Sequence, residues 1–544
     1  MLEIVLNSFM YICLALLAGL IIIQMVPTER GLDRVIPNRF MLIVTMLIPL
    51  IQLGYLIGLG RTYANFFSIS LLDGVATAMG EHILGTSFFL VLLFAVLILI
   101  LIIITRKLNR IIRASLQIIL FLGIIFAVSL SSHSASLTDG YVSGAISNAI
   151  HLLSMALWTG PLFIVSLYAK HLTNGKKFHQ WFSALAVFSL LLVSTSGFVM
   201  MGEIAPEYVN SWMLTYGQLL VMKHILIAPL LIFGFRHLLT LSGKGAKRAT
   251  LSIEERQRSF RFESIFVLAV FIVTAMLTES EPPHNVLRTL QNEPFSPIMN
   301  VFLTEPLIEN QLIAFSPSVW SGLLLGAAVL LFFVGLFVAW WFKRTWVTAV
   351  VAIAFVISFY VGLMTSTGPG DIPVNLTVHD TIEEAVNVNR EDEELEIMTT
   401  WPLTEDSFAV IFMENERHLV AERLKEEPDG YRKYLDAEVE IENGFLTGGD
   451  QFMDTFMFIE NDWVDVETIS TYVTLGYVTE EIEDVRIRFS HETVEVPVED
   501  QVFFYVQSMN QTLEEAHEYE LLDANGDVVR TVEKRQFVHE GHVH

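Results

Sequence analysis

Ten long apolar runs fill the first two thirds of this chain. They lie near residues 4–26, 40–60, 83–105, 112–130, 143–168, 181–201, 217–240, 262–278, 319–341 and 346–364. About 20 helical residues cross a membrane hydrocarbon core, because a helix rises about 1.5 Å per residue and the core is about 30 Å thick. The sequence therefore predicts a polytopic α-helical membrane protein with about ten transmembrane helices.

Charge divides the chain near residue 370. Residues 370–544 carry 43 acidic and 11 basic side chains, whereas the residues before them carry 16 acidic and 22 basic ones. The net charge of −26 thus comes from the C-terminal part. We expect a mildly basic membrane unit followed by a strongly acidic domain.

Basic residues in the loops predict how the helices are oriented. From the first inter-helix loop to the ninth we count 3, 1, 4, 0, 3, 0, 6, 1 and 2 Lys and Arg residues. Short loops rich in Lys and Arg remain on the cytoplasmic side. The alternation predicts a multi-pass protein of a bacterial cytoplasmic membrane with both termini outside the cytoplasm.

Histidine and methionine residues gather in the outer half of the predicted bundle. His151 and His224 lie about eight residues into the fifth and seventh helices, about 12 Å deep. Ionisable groups inside a membrane are costly, which makes them functional candidates. The candidate metal ligands of this layer are His82, His133, His151, His224, Met155, Met200, Met201 and Met222.

Two cofactor chemistries fit these residues. Neutral imidazole binds Cu, Zn, Fe and Ni, whereas the thioether of methionine selects Cu(I), so the mixture favours copper. His151 and His224, at matched depth on neighbouring helices, also fit a b-type haem. His82 and His133 lie at helix ends, where a structural role explains a histidine at least as well as metal binding does. We interpret three histidines on the predicted cytoplasmic side as ordinary boundary residues: His171, His179 and His237.

Some function classes are excluded. The single cysteine, Cys13, cannot form an intrachain disulfide or a paired-cysteine metal motif. Neither Gly175-Lys176 nor Gly243-Lys244 completes a phosphate-binding loop. We therefore expect neither an ATPase nor another enzyme, and any transport would follow gradients.

An ordered series of short motifs runs from about residue 132 to 283. It comprises Ser132-His133-Ser-Ala135, His151 with Leu-Trp158-Thr-Gly160, Trp181-Phe182-Ser183, Ser194-Thr-Ser196-Gly197, Thr215-Tyr216-Gly217 up to Lys223-His224, Arg261-Phe-Glu263 and Glu281-Pro282-Pro283. In this order the motifs resemble the copper resistance protein D (CopD) family of membrane proteins. The resemblance implies copper uptake or tolerance, often beside an extracytoplasmic copper-binding β-sandwich partner.

The resemblance divides the chain into four parts. We expect helices 1–4 over residues 1–140, a CopD-like core of helices 5–8 over 141–285, an external loop with helices 9–10 over 286–366, and the acidic domain over 371–544. The chain departs from fused family members because it has no sandwich at its N-terminus. Its ninth and tenth helices and its acidic domain are additions.

The acidic domain has the pattern of a β-rich α+β module. Apolar and polar residues alternate in Ala437–Ile441, Val485–Phe489, Thr493–Val496 and Gln501–Val506, which predicts strands. Asn525-Gly526 predicts a further hairpin. We expect one helix near residues 415–427. At the C-terminus His539, His542 and His544 have a spacing able to chelate a metal ion, although a disordered polar tail explains them equally well.

The leading hypothesis is copper transport or tolerance, with copper ions and the lipid bilayer as partners and no nucleic acid. The acidic domain would gather cations, and the outer histidine and methionine layer would admit copper. The alternatives are haem-based electron transfer through His151 and His224, and an envelope sensor or assembly factor that works through the acidic domain.

Overall fold

A computed structural model shows the architecture of the protein. It describes residues 2–30, 32, 36–67, 69–104, 109–131, 141–168, 171–172, 174–241, 253–303, 305–308, 310–342, 344–373, 376–388, 390, 395–403, 406–415, 418–442, 453–461, 468–478, 482–489, 492–499, 501–509, 517–534 and 538–539. The chain divides into two compact units, one formed by Met1–Leu307 with Ile313–Gly370 and the other by Ile308–Leu312 with Asp371–His544.

The first unit is helical. Its helices are α1 (Leu2–Met25), α2 (Asn38–Phe66), α3 (Leu71–Glu81), α4 (Ile83–Ile104), α5 (Arg110–Leu130), α6 (Tyr141–Tyr168), α7 (Gly175–Ile204), α8 (Thr215–Ile225), α9 (Ile227–Leu241), α10 (Ile253–Thr278), α11 (Val286–Asn292), α12 (Pro297–Phe302), α13 (Val319–Trp341) and α14 (Thr345–Met364). Ten spans among the described residues are long and apolar enough to cross a membrane, and α8 with α9 forms one of them. The prediction of about ten transmembrane helices is confirmed.

Two glycines let α1 and α6 approach each other closely. A Cβ atom on Gly19 would overlap the carbonyl group of Gly160, and one on Gly160 would overlap the carbonyl oxygen of Ala15. Small residues allow such backbone contact between helices in a membrane, where packing drives association. Because α1 also packs on α2, α5 and α10, this crossing lies at the centre of the bundle.

Replacing Gly160 by alanine tests this crossing. We expect Gly160→Ala to lower the free energy of unfolding by about 1–3 kcal/mol, because the added methyl group forces the two backbones apart. Thermal unfolding in detergent measures the effect. Gly326→Ala is the matched control, because its Cβ would meet no atom within 4 Å. Equal stability of the two variants would contradict the crossing.

A buried arginine joins the hairpin of α13 and α14 to α9. The side chain of Arg236 is fully buried, and its guanidinium donates to the carbonyl of Phe342 (3.0 Å) and to the hydroxyls of Thr345 (3.3 Å) and Thr348 (3.4 Å). The carboxylate of Glu255 on α10 accepts from the N–H (3.2 Å) and hydroxyl (2.9 Å) of Thr345. A cation at the C-terminal end of α13 also suits the helix dipole.

A polar network joins α1, α2 and the end of α10 on the opposite side of the bundle. Asn7 Nδ2 donates to Glu279 Oε1 (2.6 Å), and the Tyr55 hydroxyl donates to Asn7 Oδ1 (2.7 Å). Burial and a hydrogen bond with the carboxyl of Glu3 raise the pKa of Glu279 to about 7. The Glu279 carboxyl is therefore protonated in mildly acidic solution.

The raised pKa of Glu279 predicts how stability depends on pH. The native state binds more protons than the unfolded state between pH 4.5 and about 7. The contribution of Glu279 to the free energy of unfolding is therefore fully present below pH 4.5 and is lost as the pH rises through about 7. Thermal unfolding at a series of pH values should show this decline. We expect Glu279→Gln to flatten it and the exposed neighbour variant Glu281→Gln to retain it; an unchanged slope in Glu279→Gln would refute the assignment.

The second unit is rich in β-strands, as predicted. It contains one short helix, α15 (Ile382–Asn387), and three four-stranded sheets. With the strands numbered in chain order as given below, the sheets have the orders β3-β4-β5-β6, β11-β8-β7-β14 and β10-β9-β12-β13. The two strands β1 (Ile313–Phe315) and β2 (Thr367–Pro369) belong to the first unit. The strands of the second unit are β3 (Leu395–Pro402), β4 (Ser407–Glu414), β5 (His418–Glu427), β6 (Gly430–Glu442), β7 (Met453–Asn461), β8 (Thr468–Tyr477), β9 (Asp484–Arg488), β10 (Thr493–Pro497), β11 (Val502–Met509), β12 (His517–Leu522), β13 (Val528–Lys534) and β14 (Val538–His539).

The four predicted strands fall within or overlap β6, β9, β10 and β11, and the predicted hairpin is formed by β12 and β13. Gly526 has a φ of +79° in its turn, a conformation that favours glycine. The helix predicted near residues 415–427 is wrong, because residues 418–427 form β5 between β4 and β6. The helix-forming residues of this segment are outweighed by pairing and burial on both sides.

Candidate functional site

The ring of His151 on α6 is held by a serine on α7. His151 Nδ1 lies 3.2 Å from Ser196 Oγ, whose own proton is donated to the carbonyl of Leu192 at 2.7 Å. The serine oxygen is therefore free to accept, and His151 also contacts the backbone carbonyl of Val193. The contact with Ser196 assigns the ring proton to Nδ1, which leaves the lone pair of Nε2 available to a ligand.

The residue after Ser196 leaves room for this ring. A Cβ atom on Gly197 would lie 3.3 Å from Cε1 and 3.5 Å from Nδ1 of His151, which is tighter than usual packing. The Ser196-Gly197 pair thus positions the ring of His151. Serine fixes the tautomer and the orientation of the imidazole, and glycine makes space for it.

His224 on α8 has a comparable contact. Its Nδ1 lies 2.9 Å from the hydroxyl of Tyr208, which lies before α8 in the chain. Burial raises the pKa of Tyr208 to about 12, so the phenol stays protonated at neutral pH. When Nδ1–H of His224 donates to the phenol oxygen, Nε2 is free as a ligand atom.

The span that carries His224 is broken directly beside it. α8 ends at Ile225 and α9 begins at Ile227. Pro229 has no N–H to donate to the carbonyl of Ile225, so the regular helix cannot continue through this point. In membrane transport proteins, interrupted helices commonly line the substrate site.

The structure brings His151 and His224 to the same region. His151 lies within electrostatic reach of both Lys223 and His224. All three side chains are half-buried, so parts of them stay accessible. The pairing of two imidazoles from different helices at one metal site stays a prediction.

The four predicted methionine ligands lie in two places. Met200 and Met201 pack with Ile204 and Tyr208, close to the partner of His224. Met155 and Met222 pack against the main hydrophobic core of the first unit. Their burial in that core is also explained by packing alone, because methionine fills irregular gaps.

The remaining predicted ligands lie elsewhere or outside the described residues. His82 is exposed between α3 and α4, where its Nδ1 accepts the backbone N–H of Leu84 at 3.1 Å. His539 lies in β14, beside Met457 of β7 in the parallel register. His133, His542 and His544 lie outside the described residues.

No cluster of three or more His, Cys, Asp or Glu side chains able to hold a metal ion occurs in the part of the chain that the structure describes. His151 and His224 would have to complete any coordination with thioether, backbone or water ligands.

Sequence reasoning missed one polar pair. His237 on α9 and Glu263 on α10 are both buried, with Nε2 and Oε2 3.0 Å apart. The prediction that His237 is an ordinary boundary residue did not foresee this contact with Glu263. The available signal was the presence of two ionisable residues at similar depth in successive spans.

Residues 176–277 match the family described as copper resistance protein D. Over this stretch the chain is similar to the CopD family. The match covers α7 to α10 almost completely, and so includes Ser196, His224, His237 and Glu263 but not His151. No curated protein and no solved structure matches the chain.

The CopD stretch therefore supplies the serine that orients His151, while His151 itself lies on the preceding helix. Hydrogen-bond partners of metal-binding histidines commonly change metal affinity by 10–100-fold when removed. The family motif and the ligand it positions are separate in sequence, and only the packing of α6 on α7 joins them.

Removing the Ser196 hydroxyl tests this role. We expect Ser196→Ala to weaken Cu⁺ binding to the purified protein by about 10–100-fold, because the ring of His151 loses its fixed tautomer. Competition with a chromophoric Cu⁺ chelator measures the affinity. Thr195→Ala is the matched control, because the Thr195 hydroxyl is exposed and donates only to Leu191 and Leu192 of its own helix. Wild-type affinity in Ser196→Ala would show that the contact does not support metal binding.

Proposed function

We propose that this protein moves copper across the membrane, inward, through a site formed by His151 and His224. The observation that carries the proposal is the assigned tautomer of His151, whose Nε2 lone pair is free beside the broken span that presents His224. The match to a copper-resistance family supports copper as the transported ion. The protein acts as a transport or tolerance protein and catalyses no chemical reaction.

The ligand chemistry supports copper. Neutral imidazole nitrogens bind copper, and the thioethers of Met200 and Met201 near Tyr208 are the soft donors that select Cu⁺. Few ligands per ion also favour passage, since an ion that is to be transported has to leave its site again.

The acidic second unit supports a role in gathering cations. Several of its few basic side chains are buried in ion pairs, such as Arg390 and Lys433, which lie 3.2 and 2.9 Å from carboxylate oxygens of Glu422. Burial of these cations leaves an excess of carboxylates at the surface. A surface of one charge raises the local concentration of oppositely charged ions.

The proposal places the protein in a bacterial cytoplasmic membrane with both termini outside. Copper would then reach the second unit first, from solution or from an extracytoplasmic copper-binding protein. The alternating charge of the loops supports this orientation.

Copper accumulation in cells tests the site. We expect His151→Ala and His224→Ala each to reduce protein-dependent copper uptake to the level of cells that lack the protein, because each removes one imidazole ligand. Elemental analysis of washed cells measures the copper. His171→Ala, a half-buried histidine near the other end of α6, is the control. Unchanged accumulation in both site variants would refute the assignment.

A b-type haem clamped by His151 and His224 is the second candidate, because a bis-histidine haem uses the same free Nε2 atoms. The visible spectrum of the purified protein separates the two functions. A Soret band with sharp reduced peaks, lost in both alanine variants, would replace copper transport by electron transfer.

A further inference from the structure

His237 and Glu263 lie in contact inside the membrane-spanning unit, far from the candidate copper site. The exposed fractions of the two residues are 6% and 2%. Along the span, His237 lies 13 residues beyond His224, which corresponds to about 20 Å at 1.5 Å per residue. The pair is thus at the opposite end of the same broken span.

The surroundings of the pair are mainly apolar. The ring of His237 stacks on Phe260 with centroids 4.2 Å apart and planes within 9°. Ser259 contributes a hydroxyl 3.4 Å from Nε2 of His237. A carboxylate buried in such a place is costly unless a positive charge or a proton neutralises it.

The contact between the two groups is close but poorly aligned. Oε2 of Glu263 lies 3.0 Å from Nε2, yet it makes no hydrogen bond of good geometry. A structural ion pair is usually fixed by well-aligned hydrogen bonds. Here the carboxylate oxygen is near a basic nitrogen without being committed to it, which is the arrangement of a group that can take up and release a proton.

Most other charged or titratable groups on α9, α10 and the elements near this end have contacts of their own or are exposed; Arg256 on α10 is half-buried. Arg236 and Glu255 bond to the start of α14, Arg258 pairs with Glu255 at 2.8 Å, and Lys177 lies 4.0 Å from Glu29. Arg261 and Arg344 are exposed. The rings of Tyr168 and His171 contact each other. The side chain of His179 lies outside the described residues.

We propose that His237 and Glu263 form a proton-binding site that is coupled to copper passage; the coupling rests on the proposed function. In the deprotonated state the pair holds a carboxylate and a neutral imidazole. It takes one proton from the solution on its side, shared between Nε2 and Oε2, and returns it to the same solution. No electrons are transferred.

Electrostatics links this proton to the copper ion. Two unit charges about 20 Å apart at an effective dielectric constant of about 20 disfavour each other about fourfold. The effect is reciprocal, so a bound copper ion promotes proton loss and a bound proton promotes copper release. A proton bound by this pair therefore favours release of copper from the site formed by His151 and His224.

Infrared titration of the full-length protein in lipid tests the proton site without any transport. We expect a carboxyl C=O band that appears as the pH falls and shifts in deuterated buffer. This band should be lost in Glu263→Gln, move to a different pH in His237→Gln, and remain in the exposed control Glu254→Gln. A difference spectrum between the wild type and Glu263→Gln that contains no titrating carboxyl band would overturn the proposal, whether or not the protein transports copper.

Addition of Cu⁺ alone tests the coupling. We expect saturating Cu⁺ to lower the midpoint pH of the wild-type band by about half a pH unit, which corresponds to the fourfold effect. His151→Ala should abolish this shift while it keeps the band itself. An unshifted midpoint in copper-saturated wild-type protein would overturn the coupling. If His151→Ala loses copper uptake but keeps the carboxyl band, the proton site is supported independently of copper. Failure of the copper site and failure of the proton site therefore give different results.

Discussion

Polar side chains inside an apolar helix bundle are stable only where another part of the protein completes their hydrogen bonds. In this chain several of those partners lie on neighbouring helices. Gln52 on α2 donates to Ser87 on α4 (2.9 Å), which donates to the carbonyl of Ala127 on α5 (2.6 Å). Arg236 joins α9 to the last hairpin, and Ser196 joins α7 to His151 on α6. The contacts that hold the helices together are thus also the contacts that orient the candidate ligands.

The two helices that carry the candidate histidines differ in how they are held within the bundle: one is closely packed, and the other is interrupted. The backbone contact of Gly19 with Gly160 fixes α6 against the central helix α1, and His151 lies on the same helix as Gly160. The break between α8 and α9 relaxes regular geometry next to His224. A rigid element therefore presents one imidazole and an interrupted element presents the other. This combination allows a site to keep its geometry while one side of it adjusts to an ion.

The second unit shows how tertiary pairing overrides local preference. Ala421-Glu422-Arg423-Leu424-Lys425 is composed of good helix formers, yet it forms part of the inner strand β5. Glu422 is buried there and is neutralised by Arg390, which lies 32 residues before it, and by Lys433 on the neighbouring strand β6. Both partners lie outside the segment, so its own composition could not reveal them.

The sequence by itself determined the number of transmembrane spans, the change to an acidic β-rich domain and several of its strands, because apolar length and alternation are local properties. It also placed His151 and His224 at matched depth and pointed to the CopD family. Only the tertiary structure decided that Ser196 fixes the tautomer of His151, that His82 serves as a helix-end acceptor, and that His237 meets Glu263. These contacts depend on which helix faces pack together, and that choice is made by the whole bundle rather than by any single segment.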